Sequence, residues 1–267
     1  MRRSRAQRHR SCAWLSRGIA IVAAHPDDEV LGLGGRIAEL GSLTLVHLTD
    51  GAPRDLQDAR NAGFETREAY ARARAIELDR ALTVAGARVQ RRVPLGVADQ
   101  ETLFQLEAIA RELIPVLADV ECVITHPYEG GHPDHDAAAF AVAAACARLV
   151  RSLGQAPRRL EFPSYHAVGE TVSRGVFWDD PARPETAFEL NSTQRERKRA
   201  ALAEFASQRA VVAEFPIAIE RVRSAPEYDF TFPPPPGAAL YDRLDWGIES
   251  GEWRCEAARA LAALELG

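Results

Sequence analysis

Two segments of the chain combine histidines with carboxylates, the side chains that most often bind metal ions in enzymes. The first reads His25-Pro26-Asp27-Asp28-Glu29, and it directly follows 18–24, a short apolar segment typical of a buried strand. Three adjacent acids at a strand end repel one another and are costly to remove from water. Because a bound cation would relieve both costs, this segment is a candidate metal site.

The second segment reads His126-Pro127-Tyr128-Glu129-Gly130-Gly131-His132-Pro133-Asp134-His135-Asp136, and it holds three of the chain's seven histidines. It follows residues 121–125, another predicted buried strand. Two imidazoles and one carboxylate, with a fourth position open, form a recurring catalytic zinc shell. Each segment alone could be an ordinary helix start with turn residues. Together they predict one metal site.

Predicted strands and helices alternate along the chain. Strands are predicted at 18–24, 43–49, 89–95, 121–125 and 160–165, with an edge strand at 171–178, and helices at 66–85, 102–117, 137–149 and 193–207. This alternation predicts an α/β protein with a three-layer Rossmann-like fold, in which helices cover both faces of a mostly parallel sheet. The carboxyl ends of parallel strands share one edge, so the two segments should meet there.

Composition and charge narrow the function classes. The first 17 residues hold six arginines and no acid, so the rest of the chain is more acidic than the overall net charge of −5. An acidic body argues against a nucleic-acid partner. No apolar run approaches the length of a membrane span. The four cysteines show no C-x-x-C spacing, and no export signal is recognised, so a reduced, cytoplasmic protein is expected.

Three regions of the chain differ in composition. Residues 1–18 form a basic N-terminal arm, which we expect to be disordered. Residues 19–267 are predicted to form a single domain, and its last part, 209–267, is expected to be a less regular C-terminal extension with four consecutive prolines at 233–236. The glycines of 32–35 lack dinucleotide-loop spacing and are interpreted as allowing a helix to pack closely on the sheet.

The two metal-site segments strongly resemble the PIG-L/LmbE-like family of zinc-dependent N-acetylglucosaminyl deacetylases. The resemblance rests on Ala24-His25-Pro26-Asp27-Asp28-Glu29 and Gly131-His132-Pro133-Asp134-His135, in the family's order. Further matches are Thr49-Asp50-Gly51, Arg74 with Glu77 and Ala81, Leu95-Gly96 with Asp99, and the helix at 198–208. The resemblance covers roughly residues 19 to 208.

The resemblance implies a role for each residue of the two segments. His25, Asp28 and His135 would bind Zn²⁺ or another divalent metal such as Fe²⁺. Asp27 would be the general base for a zinc-bound water that removes an N-acetyl or other N-acyl group from a glucosamine-type sugar conjugate. His132, in its protonated form, would stabilise the oxyanion, and Asp134 would orient a histidine.

Three more residues are implied to contact the substrate. Arg74 and Asp99 match positions that contact sugar hydroxyls in relatives, although a helix salt bridge and a turn residue are the alternatives. Relatives that act on inositol-linked glucosamine can carry a tyrosine just before the Gly-His-Pro-Asp-His segment. Gly130 stands there in this chain, and Tyr128, further upstream, is interpreted as serving the same end.

Two functions from other classes stay open at this point. His135-Asp136 is also the dipeptide of the HD phosphohydrolases, so a metal-dependent phosphoesterase is one alternative. The other is a non-catalytic binding module on the same fold, against which the intact Asp27 argues. A metal stoichiometry of two would favour the phosphoesterase. The sequence leaves the oligomeric state, the sugar conjugate and the acyl group open.

Overall fold

A mixed sheet forms the centre of the protein. The computed structural model describes residues 18–244 and 246–267, so the basic arm predicted at 1–18 lies outside them except for Gly18. The strands are β1 (Ile19–Ala23), β2 (Ser42–Thr49), β3 (Arg88–Val97), β4 (Cys122–Thr125), β5 (Arg158–Glu161), β6 (Tyr165–Val168), β7 (Thr171–Arg174), β8 (Thr186–Glu189) and β9 (Ile219–Ser224). Seven of them pair in the order β3-β2-β1-β4-β5-β9-β8.

The pairing within this sheet is mostly parallel, as predicted. Strands β1 to β5 pair in parallel, with Ala23 of β1 opposite His47 of β2 and Ile21 opposite Ile124 of β4. Strands β9 and β8 extend the sheet through antiparallel pairs. The carboxyl ends of β1, β2 and β4 therefore lie at one edge, where the sequence places its histidine-rich segments.

Helices cover the two faces of the sheet. They are α1 (Asp28–Leu33), α2 (Gln57–Asn61), α3 (Arg67–Ala85), α4 (Leu106–Leu117), α5 (Pro133–Leu153), α6 (Ser192–Ala203), α7 (Arg209–Val212) and α8 (Ser250–Ala263). Because side chains alternate along a strand, Ala20 and Val22 pack with α4, α5 and α8, whereas Ile19 and Ile21 pack with α1, α3 and α6. The predicted three-layer α/β fold is confirmed.

Glycine allows α1 to lie directly on the sheet, as the sequence predicts. A Cβ atom at Gly32 would lie 2.4 Å from the ring of Phe162, and one at Gly35 would lie 2.4 Å from Leu190 Cδ1. Such distances exclude a side chain at either position without a shift of its neighbour. The helix that carries Asp28 therefore depends on these glycines for its approach to the sheet.

Three predicted elements differ from the observed ones. The strand predicted at 160–165 is β5, which begins at Arg158 and ends at Glu161. The predicted edge strand at 171–178 is β7, which pairs only with β6 in a hairpin whose two-residue turn contains Gly169 at φ 55°. The helix predicted at 137–149 begins earlier, at Pro133, because His132 caps it and proline suits a first helical position. This earlier start places Asp134 and His135 in the first turn of α5.

The C-terminal extension contains a strand and a helix that its sequence does not predict. Strand β9 joins the main sheet, and the 14-residue helix α8 packs against α4 and α5. Its apolar side chains, among them Trp253 and Ala257, complete the hydrophobic core on that face. The sequence pattern missed α8 because only a few apolar positions on one face carry its burial. None of the helices in the described part of the chain has both the length and the apolar character needed to cross a bilayer.

Trp253 provides a test of how firmly the extension is joined to the core. Its side chain is fully buried, and the indole N–H donates to the carbonyl oxygen of Pro133 at 3.1 Å. We expect Trp253→Ala to lower the free energy of unfolding by about 3–5 kcal/mol, measured by urea denaturation. Val211→Ala, at a half-exposed position on α7, is the control and should change little. A loss as small as that of the control would show that α8 adds nothing to the core.

Candidate active site

The predicted metal ligands converge at the carboxyl edge of the sheet with two other predicted site residues, Asp99 and His132. His25 and Asp28 follow β1, Asp99 follows β3, and His132 and His135 stand at the start of α5, after β4. All five side chains are buried. The fold therefore brings together residues that are up to 110 positions apart in the chain.

The start of α1 presents two carboxylates with different surroundings. Asp27 is the N-cap residue of α1, but its side chain makes no capping hydrogen bond. It instead accepts a hydrogen bond from Arg74, whose Nη2 lies 2.7 Å from Asp27 Oδ2. Asp28, one residue on, turns towards the histidines and accepts the backbone N–H of His25 at 2.7 Å. The alternative of an ordinary helix cap therefore does not describe this segment.

The loop before α5 is held by its own side chains. His132 caps the helix, because its Nδ1 accepts the backbone N–H of Asp134 at 3.1 Å. Asp136 Oδ1 accepts the backbone N–H groups of Glu129 and Gly130, and Tyr241 of the extension donates to Oδ2 at 3.1 Å. These bonds fix the ring positions of His132 and His135.

Three side chains bring their ligand atoms to the separations that a metal ion requires. The distance from His25 Nδ1 to His135 Nε2 is 3.2 Å, and Asp28 lies 3.4 Å from each, through Oδ2 and Oδ1 respectively. Tetrahedral zinc, with bonds of about 2.0–2.1 Å, separates its ligands by about 3.3 Å. These residues therefore fit a divalent cation.

The second nitrogen of His25 has the partners expected of a metal ligand. Its Nε2 lies 3.2 Å from Asp99 Oδ1 and 3.3 Å from Asp134 Oδ2. Metal-binding histidines usually donate their other N–H to a carboxylate, which fixes the tautomer and the orientation of the ring. Asp134 is held in turn by the backbone N–H of Gln100 at 2.7 Å and by the hydroxyl of Thr102. The structure thus places Asp134 beside His25, and the orienting role that the resemblance implies stays a prediction.

The backbone beside Asp99 adopts an unusual conformation. Gln100 has a φ of 71°, in the left-handed region that few residues other than glycine adopt. This turn points the Gln100 N–H at Asp134 and the carboxylate of Asp99 at His25. Strained backbone of this kind is found at functional sites, where the surrounding structure enforces it.

Negative charge accumulates in this cluster. The carboxylates of Asp27, Asp28, Asp99 and Asp134 are buried together, and within the described residues Arg74 is the arginine or lysine that pairs with one of them. Burial raises the pKa of Asp27 to about 6, although Arg74 opposes the shift. Asp27 is therefore a carboxylate whose pKa lies close to neutral pH, which suits a general base.

The protonation of His132 differs from the expectation. Burial, together with the neighbouring His25, lowers the pKa of His132 to about 3, and its Nδ1 already accepts a hydrogen bond. The ring is therefore neutral, with its proton on Nε2, and the expected imidazolium is wrong. A neutral imidazole still donates from Nε2, which lies 3.6 Å from Asp99 Oδ1.

Two of the three implied substrate contacts need correction. Tyr128 is buried, stacks on Trp253 at 5.4 Å between ring centroids, and donates to the carbonyl of Phe232 at 2.8 Å. It is a core residue because the extension covers it. Arg74 is buried too, and both terminal nitrogens are engaged, by Asp27 and by the Gly51 carbonyl at 2.5 Å. It therefore orients Asp27, whereas a sugar contact by Asp99 stays a prediction.

Three aromatic rings that had no role assigned from the sequence lie beside the cluster. His126 stacks on His135 with ring centroids 4.1 Å apart, and Tyr165 meets the same His135 ring edge-on, with centroids 5.2 Å apart. Trp246 of the extension lies 4.8 Å from the ring of His132. From the sequence, His126 follows β4 directly, and Trp246 is an aromatic residue that could equally stack on a sugar or pack in the core. Tyr165 and Trp246 reach the site through tertiary packing.

The geometry also bears on the phosphoesterase alternative. In that interpretation the His135-Asp136 dipeptide would supply two adjacent metal ligands. Both carboxylate oxygens of Asp136 are instead engaged by the loop backbone and by Tyr241. Asp136 therefore supports the loop, and the phosphoesterase interpretation loses its motif.

The model of the family described as GlcNAc-PI de-N-acetylase (PIG-L) matches residues 20–146. A Bacillus cereus protein called probable N-acetyl-alpha-D-glucosaminyl L-malate deacetylase 2 is 30% identical over 174 residues, which cover 62% of this chain and 74% of that protein. The chain belongs to the PIG-L family. This membership confirms the predicted family and its class of activity, metal-dependent N-deacetylation by a hydrolase.

Solved structures show the same fold at low sequence identity. The A40926 pseudoaglycone deacetylase is 20% identical, with a TM-score of 0.59, and the match covers 80% of this chain and 98% of that one. A 4-carboxy-2-hydroxymuconate hydratase from Pseudomonas putida is 19% identical, with a TM-score of 0.51 and the same coverage. Since the fold carries more than one chemistry, the side chains of the site decide the reaction.

Gly131 provides a test of the loop geometry. A Cβ atom there would lie 1.8 Å from the backbone oxygen of Tyr165, so any side chain must push β6 away from the loop that carries His132. We expect Gly131→Ala to lower the free energy of unfolding by about 1–3 kcal/mol and to weaken zinc binding, measured by denaturation and by chelator competition. Gly251→Ala, in helix α8 with open space, is the control. Wild-type zinc affinity in Gly131→Ala would contradict this close approach.

Proposed function

We propose that the protein removes the N-acetyl group from an N-acetylglucosamine conjugate, with Zn²⁺ bound by His25, Asp28 and His135. The observation that carries this proposal is the approach of His25 Nδ1, His135 Nε2 and the Asp28 carboxylate to within 3.2–3.4 Å of one another. The same cluster holds Asp27, a carboxylate with a raised pKa, and the neutral imidazole of His132. A divalent cation held there supplies Lewis-acid chemistry, which polarises a carbonyl oxygen and acidifies water. Zinc fits the donor set of two imidazoles and one carboxylate, and iron(II) is the alternative metal.

Asp27 acts as the general base in this proposal. Arg74 engages Oδ2 at 2.7 Å, which holds the carboxylate in one orientation, and we assign Oδ1 to take the proton of the attacking water. A pKa of about 6 keeps Asp27 ionised at neutral pH while leaving it basic enough to accept a proton. The adjacent ligand Asp28 keeps this base beside the cation.

His132 stabilises the negative charge that develops on the acyl oxygen. Its Nδ1 is committed to the helix cap, so the Nε2–H is the donor that faces the site. A neutral donor that is already oriented needs no rearrangement as the charge develops, and this kind of contact contributes much of the rate in hydrolases. Asp27 then gives the leaving amine the proton that it took from the water, because a neutral imidazole such as His132 is far too weak an acid to supply it.

The substrate class follows from the rings around the cluster and from the relatives. Trp246 lies against His132 and Tyr165 against His135, so both rings border the proposed site. An aromatic ring of this kind packs against the apolar face of a sugar. The Bacillus cereus relative is named for an N-acetyl-alpha-D-glucosaminyl malate substrate. We therefore assign a small N-acyl amino-sugar conjugate to this chain. The cytoplasmic location and the absence of a nucleic-acid partner stay predictions.

Acetate release tests the reaction and its base together. We expect the zinc-loaded protein to release acetate from N-acetylglucosamine conjugates, and chelation of the metal to abolish this activity reversibly. Asp27→Asn should lose about 10²–10⁴-fold in kcat, because the base is gone, yet bind one zinc per chain. Release at the wild-type rate by Asp27→Asn would remove Asp27 from its role. Binding of two zinc ions per chain, together with cleavage of a phosphate ester, would instead support the phosphoesterase alternative.

Trp246 provides a test of the proposed contact between an aromatic ring and the sugar. We expect Trp246→Ala to raise KM about 3–10-fold with little change in kcat, because an aromatic contact of about 0.5–1.5 kcal/mol to the sugar is lost while the reacting groups stay in place. Phe232→Ala, at an exposed aromatic position of the same extension, is the matched control. An unchanged KM in Trp246→Ala would mean that the sugar does not reach this ring.

A further inference from the structure

His126 is a buried histidine that the proposed mechanism does not use. It follows β4 directly, one loop away from the ligands, and its side chain has no exposed surface. It therefore cannot contact a substrate, although its position at the edge of the sheet suggests this role. Its contacts instead run to both segments that carry metal ligands.

The first contact joins His126 to the β1 segment. The backbone N–H of Ala24, the residue before the ligand His25, donates to His126 Nε2 at 3.1 Å. Because Nε2 accepts this bond, the proton of the neutral ring is on Nδ1, which donates to Ser164 Oγ at 2.9 Å. A backbone N–H at the end of a central strand thus finds its acceptor in a side chain 102 residues away.

The second contact joins His126 to the ligands themselves. Its ring lies parallel to that of His135, with centroids 4.1 Å apart and 10° between the planes. Nε2 also lies 3.3 Å from Asp28 Oδ2, a packing contact without a hydrogen bond, because Nε2 carries no proton in this tautomer. One ring therefore touches two of the three ligand side chains and supports the backbone next to the third.

The Nδ1 side of the His126 ring is held by a second set of hydrogen bonds. Ser164, its hydrogen-bond partner, donates its backbone N–H to Glu129 Oε1 at 2.9 Å, and Glu129 Oε2 lies 3.3 Å from His166 Nδ1. All four side chains are buried. The chain of contacts ties the β1 end, the loop before α5 and the start of the β6–β7 hairpin into one unit.

We infer that His126 is a positioning residue that sets the geometry of the metal ligands. This inference rests on the proposed function, since it takes His25, Asp28 and His135 as the ligands. His126 stops His135 from tilting and fixes the turn on which His25 stands. A side chain that fills the same volume without an acceptor would leave the Ala24 N–H unsatisfied and the turn free to move. The ligand atoms of His25, Asp28 and His135 would then no longer keep their separations of 3.2–3.4 Å.

Zinc affinity of three variants tests this role. His126→Phe keeps a ring against His135 but has no acceptor, whereas His126→Gln places an amide oxygen near the position of Nε2. We expect His126→Phe to bind zinc about 10–100-fold more weakly than wild type, as when a partner of a metal ligand is removed, and His126→Gln to recover most of this loss. Leu117→Ala, a buried position at the opposite edge of the sheet, is the control for lost stability alone. It should unfold at lower temperature yet bind zinc as wild type does.

Chelator competition measures these affinities, and the visible absorption of the Co²⁺-loaded proteins reports the ligand geometry directly. A changed Co²⁺ spectrum in His126→Phe, restored in His126→Gln, supports the positioning role. Wild-type affinity and spectrum in His126→Phe overturn it, as do equal losses in the Phe and Gln variants or in Leu117→Ala. Wild-type protein that binds zinc but deacetylates no conjugate contradicts the proposed function alone. Wild-type protein that binds no zinc overturns both.

Discussion

Repulsion among buried carboxylates is the constraint on which this site depends. Asp27, Asp28, Asp99 and Asp134 lie together at the carboxyl edge of the sheet, where each loses the solvation that would stabilise its charge. Arg74 pairs with one of them, and histidines face the others. A divalent cation among the ligand atoms would compensate the remaining negative charge. Folding has therefore built a site whose electrostatics improve when a metal binds.

Holding these charges together requires support from distant parts of the chain. Tyr241 hydrogen-bonds to Asp136, and the backbone N–H of Leu240 donates to the Gly130 carbonyl at 2.6 Å, so the extension braces the loop before α5. Trp253 contacts the first residue of that helix, and Trp246 approaches His132. All four residues lie beyond the segment 20–146 that matches the family. The C-terminal extension thus supports the loop before α5 and places Trp246 beside His132.

The fold determines where the site forms and the side chains determine its chemistry, so neither alone specifies the reaction. A hydratase shares the architecture, so the sheet and its helices specify where a site forms but not what it does. The chemistry depends on adjacent aspartates with opposite surroundings. Asp28 faces imidazoles, whereas Asp27 faces a guanidinium and keeps a pKa near neutrality. One residue of offset at the start of α1 separates a metal ligand from a base.

The sequence alone predicted the parallel strands, several of the helices around them and the two histidine–aspartate segments, because apolar strand patterns and residue spacing are local signals. It did not predict β8, β9 or α8. It could not place residues whose role depends on what packs over them. Tyr128 was predicted to contact the substrate, but the extension covers it. Arg74 was predicted to contact the sugar, but it is hydrogen-bonded to Asp27. The cap on α5 decided the tautomer of His132, and Trp246 and His126 acquired their places through contacts across more than 100 positions. Burial and hydrogen-bond partners arise only when distant segments meet, so tertiary structure alone decided them.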